Sequence, residues 1–259
     1  MDLLEHNRIA WNNEVKTGNQ WTIPVSKQQI EEANRGIIKI LLTPFKYVPK
    51  SWIGEINGKD ILCLASGGGQ QGPILAVAGA KVTVFDNSDQ QLARDIEVAG
   101  HYHLNIRTVK GNMQDLSLFS DESFDLVIHP VSNCFIDDIK PVWRESYRVL
   151  KKKGRLLSGF TNPILYMLDW DKADKTGICQ LEYAIPYSDL KALSDAKKKE
   201  YKNKKIPFEF GHSLQQQIGG QIEAGFTISG FYEDKGEDIL NKYTDAFIAT
   251  KAEKVKNHT

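Results

Sequence analysis

An apolar run that breaks into glycines constrains this chain more than any other feature. Residues 60–72 read DILCLASGGGQQG, and a second apolar run at 81–86, KVTVFD, ends on Asp86. The first run is typical of a strand buried on both faces of a parallel sheet, and glycines after it let the backbone approach a ligand closely. Pro73 suits the first turn of a helix. The order strand, glycine turn, helix, strand, acid predicts an open α/β sheet with a nucleotide or adenosyl site at that turn.

The glycine turn alone leaves two cofactor classes open. Gly67, Gly69 and Gly72 fit G-x-G-x-x-G, the fingerprint of dinucleotide-binding proteins. Asp86 lies nineteen positions beyond Gly67, where a carboxylate can accept hydrogen bonds from both hydroxyls of a ribose. Both an NAD site and a site for another adenosyl cofactor therefore satisfy this part of the sequence.

The chain downstream favours the second class. Ala65 to Gly69, Asp86, the GNMQDL segment at 111–116 and the VLKKKGRLL segment at 149–157 follow one another in an order that resembles the class I S-adenosylmethionine-dependent methyltransferases, especially the methyltransferase type 11 group that acts on small molecules. The resemblance covers about residues 55–160. Four motifs in the correct order are far more specific than any one of them.

The resemblance implies a fold and a cofactor. The fold is α/β, a Rossmann-like doubly wound sheet of seven strands, mostly parallel with an antiparallel last strand, with an N-terminal helical cap and an insert after strand five. The cofactor is S-adenosyl-L-methionine, and S-adenosyl-L-homocysteine is its product. In the family, the glycine turn contacts the methionine part, the acid after strand two contacts the ribose, and the segment after strand three contacts the adenine. The positions carried over to this chain as cofactor-binding are Ala65, Ser66, Gly67, Gly68, Gly69, Asp86, Asn87, Asn112, Met113 and His129.

The sequence departs from the family pattern at several positions. Ala65 replaces the first glycine of the turn, and Cys63 replaces the common acid of strand one. Asn112 stands where the family has an aspartate, and its amide oxygen can accept the same hydrogen bond without a charge. The segment HPVSN at 129–133 lies where enzymes that methylate amino groups in nucleic acid or in protein glutamine carry an acid or asparagine, two prolines and an aromatic residue. It does not contain that motif, which argues against those substrates.

We expect one domain over residues 1–259, assembled from consecutive segments. The N-terminal cap should contain helices at about 3–16 and 26–41, and the tail should be frayed. The segments are the cap at 1–52, the cofactor-binding core at 53–160, the substrate-side insert at 161–211, a final helix and β-hairpin at 212–250, and the tail at 251–259.

Transfer of a methyl group from a sulfonium requires a general base only if the acceptor must lose a proton. The candidate bases are His129, His212 and Tyr187. Each has a competing interpretation: a cofactor contact for His129, the residue before a helix cap formed by Ser213 for His212, and an aromatic lining for Tyr187.

Aromatic and polar side chains of the cap and the insert supply the substrate candidates. Trp11 and Trp21 can touch cofactor or substrate, although core packing is the favoured interpretation for any single aromatic residue. Asn133 and Cys134 follow strand four and can face the acceptor, although a polar turn is the default expectation. The residues assigned to the substrate are Trp21, Asn133, Tyr187 and His212.

Composition points to a cytoplasmic enzyme with a small, partly apolar acceptor. Lys plus Arg equals Asp plus Glu at 33 each, so there is no global field to attract nucleic acid or a membrane. Three cysteines without a C-x-x-C pair suit a reducing compartment, and no apolar run has the length of a membrane span. The charged run at 195–205 favours a solvated helix or mobile loop over an RNA contact. His101 and His103 lack a completing ligand, so no metal site is predicted, and the chain is expected to be a monomer or homodimer.

Two other functions remain open from the sequence. An NAD-dependent oxidoreductase should offer a substrate domain or a Tyr-x-x-x-Lys pair after strand five, and neither is present. A module that binds an adenosyl cofactor without catalysis would keep the same motifs. A closed, aromatic-lined cavity beside the glycine turn would favour the enzyme over that module.

Overall fold

The structure, a computed structural model, describes residues 2–255 and contains one seven-stranded sheet in the order β3-β2-β1-β4-β5-β9-β8. The strands are β1 (Asp60–Leu64), β2 (Lys81–Asp86), β3 (Ile106–Lys110), β4 (Phe124–His129), β5 (Leu150–Thr161), β6 (Tyr187–Ser188), β7 (Phe210–Gly211), β8 (Thr227–Asp234) and β9 (Phe247–Glu253). β6 and β7 form a separate antiparallel pair within the insert.

Helices flank this sheet on both faces. They are α1 (Leu3–Thr17), α2 (Lys27–Asn34), α3 (Lys50–Ile53), α4 (Gln71–Val77), α5 (Asp89–Tyr102), α6 (Lys140–Val149), α7 (Trp170–Thr176), α8 (Asp189–Ala192), α9 (Asp195–Lys204) and α10 (Gly220–Glu223). Among the residues described, 2–255, none of these helices is long and apolar enough to span a bilayer.

The side chains of β1 show why the sheet is covered on both faces. Ile61 and Cys63 enter one apolar cluster, with Trp52 and Leu75, while Leu62 and Leu64 enter the other. Alternate residues of a strand point to opposite faces, so an uninterrupted apolar run is needed when both faces are buried. The doubly wound α/β fold predicted from the sequence is confirmed.

Strand order creates the crevice that holds the site. The chain runs outward from β1 to β3 and then returns to place β4 on the other side of β1, with all of these pairs parallel. Ligands of open α/β sheets bind beyond the carboxyl ends of the strands at such a reversal. β9 pairs antiparallel with both β5 and β8, which confirms the expected antiparallel last strand.

Two boundaries differ from the sequence predictions. The second cap helix, predicted to reach residue 41, ends at Asn34 because Gly36 adopts φ +81° and the Gly36 and Ile37 amides bond back to Ala33 and Glu32. The predicted tail at 251–259 was also wrong at its start, since β9 continues to Glu253 and pairs there with Arg155. Residues 256–259 of that tail lie outside the described residues.

The insert is folded, and its charged run forms α9. Ser194 caps α9 by accepting a hydrogen bond from the Lys197 amide, and every residue of the helix is exposed or half-buried. The run is therefore a solvated helix, one of the two forms that its composition favours.

Candidate active site

A cavity of about 640 Å³ lies beyond the carboxyl ends of β1, β2 and β4. Its floor is formed by the residues that directly follow these strands, and its roof by α1 and the insert. Small-molecule sites in proteins occupy roughly 300–1,000 Å³ and are mostly apolar with a few polar groups. The cavity is therefore of a size for small molecules, and residues from all parts of the predicted site meet in it.

The glycine turn forms one end of this cavity, through Ala65, Ser66 and Gly67. Gly67 has no room for a side chain, because an added Cβ would lie 2.8 Å from Gln91 Cβ and 3.1 Å from Asp86 Oδ2. Its amide donates to Asp86 Oδ2 at 2.9 Å. Only glycine at position 67 lets the turn lie this close to Gln91 and Asp86, and the turn therefore presents backbone to the cavity.

Gly68 and Gly69, also predicted to bind the cofactor, lie outside the cavity wall. The Gly68 amide donates to Asp95 Oδ2 at 3.0 Å, and Gly69 packs against α5. Both have positive φ, at +113° and +71°, so they serve the path of the turn. Asp95 is fully buried beneath them, and this burial raises its pKa to about 7.

Ser66 carries the clearest sign of a missing partner. Its hydroxyl is buried in the cavity wall, and within residues 2–255 its Oγ has no hydrogen-bond partner. Buried polar atoms in native proteins are nearly always hydrogen-bonded. A polar group of a ligand at the glycine turn would satisfy this hydroxyl.

Asp86 and Asn87 stand at the end of β2 as the sequence predicts. Asp86 accepts from the Gly67 and Ser88 amides, and burial nevertheless raises the pKa of its carboxyl group. Both residues line the cavity, and the Asn87 amide group donates to the Leu4 carbonyl of α1. The Asp86 carboxylate retains lone pairs for ligand hydroxyl groups, because each oxygen accepts only one amide.

Asn112 and Met113 line the cavity after β3. The Asn112 side chain bonds to Gln114, whose amide donates to Asn112 Oδ1 at 3.0 Å. This contact fixes the side chain at the position where the sequence predicts recognition of an adenine ring. Phe85 completes this side and packs on Gly111, where a Cβ would lie 2.2 Å from the ring.

The structure argues against His129, Asn133 and His212 as cavity residues. His129 is fully buried outside the cavity wall, with Nδ1 3.0 Å from the Leu64 carbonyl and Nε2 2.8 Å from Asn133 Oδ1. Asn133 also donates to Gln217, so its side chain belongs to the same buried network. Burial lowers the pKa of His129. We therefore retain neither Asn133 as a substrate contact nor His129 as a base or cofactor contact.

His212 has a structural role too. Its Nε2 lies 3.1 Å from the Asn133 carbonyl and 3.0 Å from the Ile136 carbonyl, and burial lowers its pKa. Ser213 and Gln216 bond reciprocally through side chains and amides, which is the capping arrangement weighed against a catalytic His212. Nε2 therefore donates to these carbonyls, which holds the ring against the backbone and outside the cavity wall.

Tyr187 does line the cavity, but it is held as a hydrogen-bond donor. Its hydroxyl donates to Asp189 Oδ1 at 2.8 Å. Burial, followed by the contact with Asp189, raises the pKa of the phenol well above its usual range. A tyrosine that stays protonated at neutral pH cannot act as the general base, so the aromatic-lining interpretation fits better.

Aromatic rings from the cap and the insert line the rest of the cavity. Trp11 packs edge-on against Phe135 at 5.0 Å between ring centres, and Tyr166 stacks on Tyr187 at 5.7 Å. The aromatic residues in the wall include Trp11, Trp21, Phe135, Tyr166, Tyr183 and Tyr187.

Several residues of the site were not predicted from the sequence. Asn7 joins the cap to the insert, because its amide donates to the Phe135 and Phe208 carbonyls and its oxygen accepts from the Phe208 amide. Tyr166 and Glu209 meet in the cavity wall, where the tyrosine hydroxyl donates to Glu209 Oε2 at 2.7 Å. No local motif marks these residues, since their partners are 43 to 201 positions away.

Residues 2–255 contain no group of three or more His, Cys, Asp and Glu side chains placed to hold a metal ion.

Comparisons with known proteins agree with this geometry. A family model described as a methyltransferase domain matches residues 62–158. The chain is 50% identical over 253 residues to a Bacillus subtilis (strain 168) protein named uncharacterized methyltransferase YbaJ. The aligned residues cover 98% of this chain and 99% of that protein.

Solved structures share the fold at low identity. An S-adenosylmethionine-dependent methyltransferase from Mesorhizobium loti superposes with a TM-score of 0.60 at 17% identity, over 79% of this chain and 94% of that one. The 1,6-didemethyltoxoflavin-N1-methyltransferase of Burkholderia thailandensis gives a TM-score of 0.60 at 12% identity, over 97% of this chain and 88% of that one.

Proposed function

Because this chain belongs to the class I S-adenosylmethionine-dependent methyltransferases, we propose that it transfers the methyl group of that cofactor to a small, partly apolar acceptor held beneath the insert. The observation that carries the proposal is the continuity of the cavity. One space joins the glycine turn and Asp86 to the aromatic rings of the cap and insert. A module that only binds the cofactor would not need the second, aromatic-lined part of the cavity.

The residues present fit the cofactor. The backbone at Ala65 to Gly67 and the unpaired Ser66 hydroxyl suit the methionine end, and the Asp86 carboxylate suits the ribose hydroxyls. Asn112 and Met113 stand where the adenine would lie, with the Phe85 ring beside them. Asp86 and Asn112 are oriented by hydrogen bonds that the structure already contains.

The proposed reaction requires little covalent chemistry from the protein. When bound, the cofactor supplies a methyl group made electrophilic by its sulfonium. The chain's own tasks are to hold the acceptor in line, to orient it against the stacked Tyr166 and Tyr187 rings, and to exclude water with Trp11 and Phe135. A well-aligned acceptor needs no covalent intermediate with the enzyme.

The size and cover of the cavity support a small acceptor over a macromolecule. A space of about 640 Å³ must hold both reactants, and α1 and the insert roof it together. Asn7 ties these two covers to each other through two hydrogen bonds with the Phe208 backbone. The Burkholderia enzyme of similar fold binds a small acceptor together with S-adenosylhomocysteine, which shows that such folds can hold this pair.

We further propose that the protein acts in the cytoplasm, as a monomer or homodimer. Cys63 and Cys134 are buried free thiols and Cys179 is a half-exposed one, as suits a reducing compartment.

Calorimetric titration tests the cofactor part of this proposal. We expect S-adenosylhomocysteine to bind one site per chain and NADH to give no heat. Tight binding of NADH together with no binding of S-adenosylhomocysteine would contradict the proposal and favour an oxidoreductase.

A further inference from the structure

The acceptor end of the cavity contains two linked carboxyl groups. Glu209 lines the cavity directly before β7, and its amide donates to Asp189 Oδ2 at 2.8 Å. Asp189 Oδ1 accepts from the Tyr187 hydroxyl, and Glu209 Oε2 accepts from the Tyr166 hydroxyl at 2.7 Å. Each carboxylate is therefore oriented by a tyrosine, and Asp189 is fixed further by backbone.

Glu209 differs from Asp189 because one of its carboxylate oxygens is free to bind a ligand. Both oxygens of Asp189 are bonded, whereas Glu209 Oε1 has no hydrogen-bond partner within the described part of the chain, residues 2–255. Burial, with a smaller contribution from the charge of Asp189, raises the pKa of Glu209 to about 7, although the Tyr166 hydroxyl lowers it. Glu209 can thus change its protonation state near neutral pH.

Aromatic rings line the same cavity as Glu209. Tyr166 stacks on Tyr187, and Tyr183 meets Tyr187 edge-on at 5.1 Å. Tyrosine faces attract cations and flat rings, and a carboxylate accepts hydrogen bonds from N–H groups. An anionic acceptor would be repelled by Glu209 and Asp189, and Lys197 nearby is shared with Asp171 and Glu200.

We propose that Glu209, oriented by Tyr166, binds the N–H group of an aromatic or heteroaromatic acceptor and accepts its proton during methyl transfer. This inference rests on the proposed function and narrows it to nitrogen acceptors, which bind neutral or protonated and react in the neutral form. The acceptor's lone pair forms the new C–N bond while the S–C bond of the cofactor breaks, with its electron pair left on sulfur. The proton released from nitrogen goes to Glu209 Oε1.

Binding of small aromatic probes tests this assignment without turnover. Benzylamine, benzyl alcohol and benzoate share a ring and differ in charge, and their dissociation constants can be measured by tryptophan fluorescence in the presence of saturating S-adenosylhomocysteine. For the unmodified protein we expect benzylamine to bind at least about tenfold more tightly than benzoate. Glu209→Gln should remove this preference and leave benzyl alcohol unchanged. Glu182→Gln, an exposed acid in the same insert, is the matched control and should keep it.

The pH profile separates proton acceptance from simple packing. The titratable groups facing Glu209 are Tyr166, Cys134, Asp189 and Tyr201. Benzylamine stays protonated from about pH 6 to about pH 8, so its binding should strengthen across this range as Glu209 ionises. Tyr166→Phe removes the hydroxyl that lowers the Glu209 pKa and should move the midpoint to higher pH, whereas Glu209→Gln should abolish the step.

The outcomes distinguish this inference from the function on which it rests. If S-adenosylhomocysteine binds all variants but benzoate binds as well as benzylamine, or the preference survives in Glu209→Gln, the inference is overturned and the proposed function stands. If S-adenosylhomocysteine binds none of the proteins, the proposed function itself fails. Should Glu209→Gln not fold, the Tyr166→Phe midpoint decides, and an unmoved midpoint contradicts the assignment.

Discussion

The two ends of the cavity are built in different ways. At the proposed cofactor end, the site consists of short segments that directly follow β1, β2 and β3. At the acceptor end, α1 and the insert meet through side chains that are far apart in the chain, such as Asn7 with Phe208 and Tyr166 with Glu209. One end depends on local backbone geometry, the other on long-range contacts.

This difference separates what the scaffold supplies from what the particular enzyme supplies. A strand end with a glycine turn presents a cofactor surface in any chain that forms the sheet. The acceptor surface exists only if the cap and insert fold onto that sheet together. Substitutions at the two ends should therefore have different consequences, which the following experiments compare.

The largest effect is expected at the junction of the cap and insert. Asn7→Ala leaves the Phe135 and Phe208 carbonyls and the Phe208 amide without their partner. Buried groups that lose a hydrogen bond make the change costly, so the free energy of unfolding should fall by about 2 to 4 kcal/mol. Urea denaturation followed by fluorescence measures it.

Asn13→Ala in the same helix is the control, because the Asn13 side chain is half-buried on α1 and outside the cavity wall. We expect it to change the unfolding free energy by less than about 0.5 kcal/mol. Equal effects of the two substitutions would show that Asn7 does not join the two covers.

At the cofactor end, removal of one side chain should impair binding. Asp86→Ala removes the carboxylate assigned to the ribose and should weaken S-adenosylhomocysteine binding by about 1.5 to 3 kcal/mol, or roughly 10- to 100-fold. Calorimetry gives the dissociation constant. Asp137→Ala, an exposed acid outside the wall, should leave it unchanged. An unaltered constant in Asp86→Ala would remove the assigned role.

A smaller effect of opposite sign is expected at Ala65. This residue adopts φ +47°, a left-handed conformation that costs a residue with a Cβ about 1–2 kcal/mol and glycine much less. Ala65→Gly should raise the unfolding free energy by about 0.5 to 1 kcal/mol after the greater entropy of glycine in the unfolded chain is subtracted. Ala76→Gly, within α4, should instead lower it by about 1 kcal/mol. Destabilisation by both substitutions would show that the turn is not strained at Ala65.

The smallest effect is expected on α9. Lys199 and Lys202 are exposed on this solvated helix. Replacing both with Gln should change the unfolding free energy by less than about 0.5 kcal/mol and leave cofactor binding unchanged. A large loss in either measurement would mean that the charged run contributes to the site.

The sequence predicted the sheet, and it predicted that the residues after β1, β2 and β3 meet in one place, because the determinants of both are local. The apolar run of β1, the glycines after it and Asp86 each specify their own conformation within a few residues. The glycine that the family has at the position of Ala65 also has a local explanation, since the turn imposes a positive φ there.

The acceptor end could not be predicted in the same way. His129, Asn133 and His212 have the chemistry of an active site, yet packing turns them into a buried hydrogen-bond network. Glu209 lies in a segment without a recognisable motif, and its altered acidity arises from burial that only the folded insert creates. The overlong second cap helix is a different kind of error, because Gly36 signalled its end locally.

The most direct test of the account is a transfer assay with methyl-labelled S-adenosylmethionine and a cell extract containing both metabolites and macromolecules. We predict that the label appears in the low-molecular-mass fraction and that Asp86→Ala reduces it while Asp137→Ala does not. Label recovered in nucleic acid or protein, or no transfer by an enzyme that binds S-adenosylhomocysteine, would contradict the account.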